Sequence, residues 1–179
     1  RVICLAMSPS KANDLFLRVW EKAVTAGLNF FAIDAALMLT TIRPPKFQNE
    51  WLKKALALAE SSADEQSRLW LAQLLFLDGW HAYDFRQFDK ALELFDRALT
   101  QPLVINQPVK NIPLLWSRAR TLRAAGKTEE ALAVQESLLK RMNERGAING
   151  HVYLEIAECK QLLRQKEEAK TYFELAYGV

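Results

Sequence analysis

The stretch FDKALELFDRALTQP, residues 88–102, decides the fold of this protein. Within it, Ala91, Phe95 and Ala98 follow one another at steps of four and three residues, and Pro102 comes shortly after them. Steps of three and four place side chains on one face of an α-helix, and proline cannot continue a helix. The stretch therefore predicts a helix with one apolar face that ends near the proline.

Two related phrases occur later in the chain, TEEALAVQESLLK at 128–140 and KEEAKTYFELAYG at 166–178. When the three phrases are aligned on an alanine, they recur at intervals of 40 and 38 residues, which is typical of stacked repeats. Each aligned alanine has a small residue twelve positions before it and a large apolar residue four positions before that. These sets are Leu75, Gly79 and Ala91; Leu115, Ala119 and Ala131; and Tyr153, Ala157 and Ala169.

The paired small residues predict antiparallel helical hairpins. A small side chain on each helix at a crossing lets two backbones approach closely, while large neighbours fill the flanks. We therefore expect Gly79 to face Ala91, with the same pairing in the two later copies. Gln135 and Leu138 depart from the pattern in the middle copy. Because no segment alternates between apolar and polar residues as a strand does, the sequence predicts an all-α protein.

Breakers and capping residues divide the chain into about nine helices. Ser8 followed by Pro9 predicts the start of a helix that runs to about residue 26. The capping-box spelling SADE at 62–65 predicts a helix that ends near Tyr83, and Asn149 is expected to cap a later one. The other helices are expected at 29–41, 46–61, from about 88, 111–126, 128–144 and 166–177.

The spacing of small and large residues resembles the tetratricopeptide repeat. That unit is a helix–turn–helix with a small residue in its first helix, an Ala–x3–Phe–x2–Ala run in its second and a proline after it. Three such repeats are expected at 64–102, 110–144 and 149–178 of one helical-repeat domain spanning 1–179. The phrases DGW, FDKALELFDRAL and EEALAVQESLLK also resemble bacterial tetratricopeptide proteins that have no assigned activity. The resemblance implies antiparallel hairpins stacked as a right-handed superhelix.

The resemblance is weaker in residues 10–61, and two pairings remain open there. Either 11–41 is a degenerate repeat followed by an extra helix at 46–61, or 29–61 is a hairpin and 11–26 is the remnant of an earlier repeat. Three residues also depart from the pattern of the family in the clearer repeats: Asp78, Arg118 and Lys160.

The last residues, FELAYGV at 173–179, present an apolar face with nothing after it. Stacked repeats need a polar cap at each end. We therefore expect the chain to be a fragment of a longer protein, or a second chain to cover this face in a homodimer.

The resemblance implies a concave groove that binds a peptide or a protein segment. In this family the groove is lined by first-helix side chains one place after the small packing residues. That phase contains Phe76, Leu154 and Gln161, together with the candidate partner-binding residues Trp80, Tyr83, Trp116, Arg120, Arg123 and Glu158. Tryptophan, tyrosine and arginine dominate binding hot spots, and arginine would pair with a ligand's C-terminus or an acidic side chain. Alternatively, these aromatic residues fill the space between repeats.

Composition argues against several other classes of function. The formal charge of +3 is far below what nucleic-acid binding favours, and the longest apolar stretch is too short and too polar to span a membrane. Two cysteines far apart in the chain are no disulfide framework, which favours a reducing, cytoplasmic location. His81 and His151 are too few for a zinc site, Cys159 has no motif partner, and no glycine-rich phosphate loop is present.

The sequence therefore predicts a non-catalytic protein–protein interaction scaffold with no metal and no cofactor. Two alternatives stay open. One is a regulatory domain that senses a short peptide, and the other is a structural module that associates with itself through the C-terminal face.

Overall fold

A computed structural model of the chain describes residues 8–42, 45–105, 111–147 and 149–178. Within these ranges every regular element is a helix, and nine helices have twelve or more residues, which confirms the all-α prediction. The helices are α1 Pro9–Thr25, α2 Asn29–Ile42, α3 Pro45–Ser61, α4 Glu65–Arg68, α5 Leu71–Asp84, α6 Phe88–Leu99, α7 Pro102–Ile105, α8 Asn111–Ala124, α9 Thr128–Asn143, α10 Gly150–Leu162 and α11 Lys166–Tyr177.

Local sequence explains where α1 and α10 begin. Pro9 occupies the first turn of α1, where its missing N–H costs nothing, and Ser8 before it is extended. The Ser8 side chain makes no capping bond, so the proline alone marks this start. At α10, the Asn149 side chain accepts a hydrogen bond from the backbone N–H of His151 at 2.9 Å, as predicted.

The SADE segment starts a helix differently from the prediction. Asp64, not Ser62, is the capping residue: its carboxylate accepts from the backbone N–H groups of Gln66 and Ser67 and from the Ser67 hydroxyl at 2.6 Å. The bond from the Ser67 hydroxyl is the main reason that the pKa of Asp64 is lowered. The resulting helix, α4, is a single turn, so one predicted helix is two, α4 and α5.

Four hairpins close with the same turn, between α1 and α2, α5 and α6, α8 and α9, and α10 and α11. One residue in each turn has a positive φ, and the next N–H donates to the carbonyl five positions back, which is the Schellman arrangement. The positive-φ residues are Gly27, Arg86, Gly126 and Arg164, at 69°, 59°, 82° and 63°. The N–H donors are Leu28, Gln87, Lys127 and Gln165, at 2.8 to 2.9 Å from their acceptors.

Both pairings left open for residues 10–61 remain open, because α2 packs against α1 and also against α3. The shared turn does not decide between them, since Gly146, at φ 64°, and the bond from the Ala147 N–H to the Met142 carbonyl form the same turn between α9 and α10. The division of the chain into repeats stays a prediction.

The described helices form two compact units, Arg1–Asp78 and Gly79–Val179, whose boundary falls within α5. In the first unit α2 lies against both α1 and α3. It is apolar almost all round and is buried along most of its length, as expected for a helix covered on several sides. Trp20 of α1 meets Trp51 of α3 edge to face at 5.3 Å.

In the second unit, α8 packs against α6, and each later long helix packs against the one before it. The small residues of the repeat are all buried: Gly79, Ala91, Ala119, Ala131, Ala157 and Ala169. At the first crossing the Phe95 ring occupies the space that a Gly79 side chain would fill, because a Cβ there would lie 2.5 Å from Cε1 of the ring. Glycine is therefore required where the aromatic ring enters the crossing.

Candidate partner-binding strip

The six candidate residues lie on three helices, α5, α8 and α10, within the second unit. Each of the six is half-buried. Trp80 and Tyr83 belong to α5. Trp116, Arg120 and Arg123 belong to α8, and Glu158 belongs to α10. The structure brings them together in two connected groups, which we call the aromatic ladder and the arginine network. Both groups together form the strip.

The aromatic ladder consists of Tyr83, Trp80, Trp116 and His151. Its ring centroids are separated by 5.1 Å from Tyr83 to Trp80, 6.0 Å from Trp80 to Trp116 and 6.0 Å from Trp116 to His151. The Trp116 indole N–H donates to the backbone carbonyl of His151 at 3.2 Å, which fixes that ring's orientation. Trp80 also packs against the buried Phe95, with 6.0 Å between the two ring centroids. The ladder thus combines partly exposed aromatic surface with anchoring contacts.

The arginine network consists of Arg120, Arg123, Glu155 and Glu158. Arg120 Nη1 donates to Glu155 Oε1 at 2.8 Å, and Arg123 donates from Nε to Oε2 at 2.9 Å and from Nη2 to Oε1 at 3.2 Å. Arg123 Nη1 also lies 3.7 Å from Glu158 Oε2. The Glu155 side chain is only 1% exposed, so two guanidinium groups compensate one buried carboxylate.

The pKa of Arg123 follows from these contacts. Burial acts to lower it, but the hydrogen bond and the negative charge of Glu155 outweigh burial, and the pKa is raised overall. Arg123 therefore keeps its charge at every accessible pH. The Arg120 side chain is more accessible, at 34% exposed, and its guanidinium carbon lies 5.4 Å from the centre of the Trp116 ring. This cation–π contact joins the arginine network to the aromatic ladder.

Sequence reasoning expected the arginines to pair with a ligand's C-terminus or with an acidic side chain, and it missed the acidic side chain within the chain itself. Glu155 lies one turn before Glu158 and shares the buried face of α10 with Val152, Ile156 and Cys159. A carboxylate on the buried face of a helix needs a counter-charge. That rule could have identified Glu155. Of the other groove-phase residues, Phe76 and Leu154 are half-buried and Gln161 is exposed.

The three residues that depart from the repeat pattern, Asp78, Arg118 and Lys160, lie in different environments. Arg118 Nε donates to Asp96 Oδ1 on α6 at 2.6 Å. Lys160 Nζ donates to Glu168 Oε2 on α11 at 2.7 Å, and this bond is the main cause of the raised pKa of Lys160. Asp78 is buried. Two of the departures thus form ion pairs between helices that are neighbours in the fold.

A pocket of about 510 Å³ lies at the C-terminal end of the second unit. Its walls come from the end of α10, the following turn and one face of α11. The lining residues are Gln161, Arg164, Lys166, Ala169, Lys170, Phe173, Glu174 and Tyr177. Phe173 is half-buried and Tyr177 is 81% exposed, so part of the apolar face predicted from FELAYGV is open.

The residues that the structure describes include neither a metal-binding cluster nor a readily ionised cysteine. Among those residues, no three His, Cys, Asp or Glu side chains are placed to hold a metal ion. Burial raises the pKa of the Cys159 thiol to about 11, so the thiolate needed for nucleophilic chemistry is scarce at neutral pH. Across the described ranges, none of the helices has both the length and the apolar character needed to cross a bilayer.

Solved structures that are similar to this chain include the following three. MamA of AMB-1 is 19% identical, with a TM-score of 0.63 over 98% of this chain and 85% of that one. PilF of Pseudomonas aeruginosa is 19% identical, with a TM-score of 0.60 over 95% of this chain and 77% of that one. A putative kinesin light chain of Podosopora anserina with nearly identical TPR-like repeats is 16% identical, with a TM-score of 0.65 over 95% of this chain and 86% of that one. The fold is tetratricopeptide-like.

No protein-family model and no curated protein matches the sequence of the tetratricopeptide-like chain. The identities to the solved structures are all below one in five, so the similarity lies in the fold. The function proposed for the strip therefore rests on the residues of the strip itself.

Proposed function

We propose that this protein is a non-catalytic protein–protein interaction scaffold that holds a peptide or protein segment along the strip. Helical repeats in general present extended surfaces for partners. The observation that carries the proposal is the aromatic ladder, in which two tryptophans and a tyrosine from neighbouring first helices are in contact and still half-exposed. Trp, Tyr and Arg are the residue types enriched at binding hot spots.

The partial exposure of the ladder rings supports a role in binding a partner rather than in filling the core. Aromatic rings that only fill a core are buried, as Phe95 is at 0% exposed. Trp80, Tyr83 and Trp116 are each partly exposed instead, although they have ring contacts. A partner that covers these rings would remove apolar surface from water without first having to order the side chains.

The test is a comparison of captured partners between variants. The strip variant carries Trp80→Ala and Arg120→Ala, and the matched control carries Phe31→Ala and Arg118→Ala. Phe31 is an exposed aromatic residue in the first unit, and Arg118 shares α8 with Arg120 but pairs with Asp96 outside the strip. We expect proteins that bind the wild type and the control to be lost from the strip variant by at least about tenfold.

Captured proteins must then bind the purified wild-type chain directly, with the same loss in the strip variant. Circular dichroism and the melting temperature check that each variant is folded. Equal capture by all three proteins, or no direct binding, would remove the strip as a partner site. The expectation of no nucleic-acid partner rests on the modest charge, and that of no membrane rests on the short apolar stretches; both stay predictions, as does the cytoplasmic location.

A second candidate function is self-association through the C-terminal pocket, and the exposed apolar residues there favour it. Tyr177 is exposed and Phe173 is only half-buried, and both line the pocket. Lys170 and Glu174 line the same pocket, so an antiparallel second copy could pair each lysine with the other copy's glutamate.

Light scattering tests this candidate. If it is correct, the molar mass of the wild type rises towards a dimer as the concentration increases to about 100 µM, and Tyr177→Lys abolishes the rise. Leu69→Lys, at another exposed leucine, serves as the control and should leave the dimer unchanged. A wild type that stays monomeric would exclude this function.

A further inference from the structure

We propose that the strip takes an uncharged, proline-rich extended segment rather than an acidic one. This inference rests on the proposed function, because it names the chemistry of the partner at the same site. Three observations carry it: the balance of charge in the arginine network, the continuous series of ring contacts in the ladder, and the partial exposure of Trp80, Tyr83 and Trp116.

The arginine network is electrically balanced by its own residues. Arg120 and Arg123 both donate to Glu155, and Glu158 lies 3.7 Å from Arg123. Two positive and two negative side chains thus cancel within the network. An acidic ligand would have to compete with a buried carboxylate that already holds both guanidinium groups in short hydrogen bonds, and it would approach Glu158, which is 42% exposed. The network therefore disfavours a carboxylate ligand.

The aromatic ladder offers a series of ring contacts to an extended apolar segment. Neighbouring ring centroids are separated by 5.1 Å from Tyr83 to Trp80, 6.0 Å from Trp80 to Trp116 and 6.0 Å from Trp116 to His151. Because these rings come from three helices, α5, α8 and α10, a partner that covers them has to be longer than one side chain. An extended strand partner would need a row of unpaired backbone groups, whereas the backbone of these helices is hydrogen-bonded internally.

Proline is the residue type that fits such a ladder. A polyproline II segment is already extended and has no internal hydrogen bonds, so it loses little conformational entropy when it binds. Aromatic-lined surfaces are the general means by which proteins recognise such segments. At about 3.1 Å per residue, a segment of at most about six residues would reach from Tyr83 to His151. Arg120, at 34% exposed, lies beside the ladder at Trp116 and has N–H groups suited to a peptide carbonyl.

The test uses two synthetic peptides and fluorescence anisotropy. The first probe is an end-blocked peptide of about eight residues made of proline and leucine, and in the second about half of the prolines are replaced by glutamate. We expect the proline probe to bind at least about tenfold more tightly than the acidic probe. Its affinity should change less than about twofold between roughly 50 and 500 mM NaCl, because no ion pair forms with the ligand.

Four variants make the test specific to the ladder and the network. Trp80→Ala should weaken binding of the proline probe at least about tenfold, and Tyr83→Ala is a second ladder variant in case Trp80→Ala does not fold. Phe31→Ala, outside the strip, should bind like the wild type. Glu158→Gln should strengthen binding of the acidic probe by roughly threefold, because it removes the exposed negative charge of the network.

Each other outcome overturns the inference. If the acidic probe binds more tightly and is released by salt, the strip binds peptides, as the proposed function requires, but the assigned chemistry is wrong. If neither probe binds while the capture experiment identifies a partner lost from the strip variant, the proposed function stands and the inference fails. If the proline probe binds equally to the wild type and to both ladder variants, the binding site lies elsewhere.

Discussion

The first and last hairpins of the second unit, α5 with α6 and α10 with α11, carry the same repeat signature but use it differently. In the first hairpin, Phe95 is fully buried and its ring lies where a Gly79 side chain would be. In the last hairpin, the small residue is Ala157 and the equivalent ring, Phe173, is half-buried and lines an open pocket. One motif thus supplies a core ring at one place and a surface ring at another.

The difference shows that the size of the small residue depends on how deeply the aromatic ring enters the helix crossing. A ring that is driven into the crossing leaves no room for a Cβ, and a ring that remains partly at the surface tolerates alanine. The stability of the two hairpins should therefore respond differently to equivalent substitutions.

The largest expected difference in the free energy of unfolding is between truncation of Phe95 and truncation of Phe173. Phe95→Ala should lower the free energy of unfolding by about 4 kcal/mol, because it leaves a cavity in a closed core. Phe173→Ala should cost only about 1 kcal/mol, because part of that ring is already in water in the folded state. Urea unfolding of both variants measures the difference. Equal losses would show that the two crossings are packed alike.

A smaller effect is expected from filling the first crossing. Gly79→Ala should destabilise the fold by about 2 kcal/mol although alanine is the better helix former, because the new Cβ would overlap the Phe95 ring. The double variant Gly79→Ala with Phe95→Leu should lose less than the two single variants added together, since the smaller side chain makes room for the Cβ. The reverse change in the last hairpin, Ala157→Gly, should cost about 1 kcal/mol through helix propensity alone. Urea titrations test all three, and additive losses would rule out the proposed steric conflict.

Cys159, which is buried on α10 of the last hairpin, should make the stability of the fold depend on pH. Its folded pKa of about 11 exceeds the ordinary value of 9.0, so the folded state holds the thiol proton more tightly than the unfolded state does. The resulting stability is present below about pH 9 and is lost as the pH rises towards about 11, by at most about 3 kcal/mol. Unfolding curves measured against pH in a Cys4→Ser background give the slope, and Cys159→Ala should remove it. A slope that persists in Cys159→Ala would assign the effect to other groups.

The smallest expected effect concerns the turns that close these two hairpins. Arg86 and Arg164 adopt positive φ values where the α8–α9 hairpin has Gly126. Arg164→Gly and Arg86→Gly should each raise the free energy of unfolding by about 1 kcal/mol, because glycine has no Cβ to strain in this conformation. Gly126→Ala should lower it by a similar amount. Thermal unfolding detects both directions, and a destabilising Arg164→Gly would mean that the arginine side chain contributes more than its backbone strain costs.

Much of the fold follows from sequence because the repeat depends on local spacing. Small residues twelve positions apart mark the hairpins, and the first residues of α1 and α10 follow from Pro9 and Asn149. The sequence does not predict the positive φ of Arg86 and Arg164, because glycine is the residue type that usually indicates this conformation. The break between α4 and α5 was also missed, since both sides of it have helical periodicity.

Less of the candidate site could be predicted, because its contacts join residues that are far apart in the chain. Periodicity placed Trp80, Trp116 and Arg120 on equivalent faces, but it could not show that Arg120 and Arg123 share Glu155, which is more than 30 residues away. The same holds for the ladder, where Trp116 bonds to the backbone of His151, a residue that was considered only as a metal ligand.

The position of Glu155 has a consequence for how such a protein can evolve. Codons for glutamate and glutamine differ by one base, and that single change would leave Arg120 and Arg123 facing a neutral side chain of nearly the same shape. Two guanidinium charges would then lack their buried counter-ion, and the surface beside Trp116 would attract anions. The ligand chemistry proposed for the strip would therefore be reversed by a mutation of a side chain that is only 1% exposed.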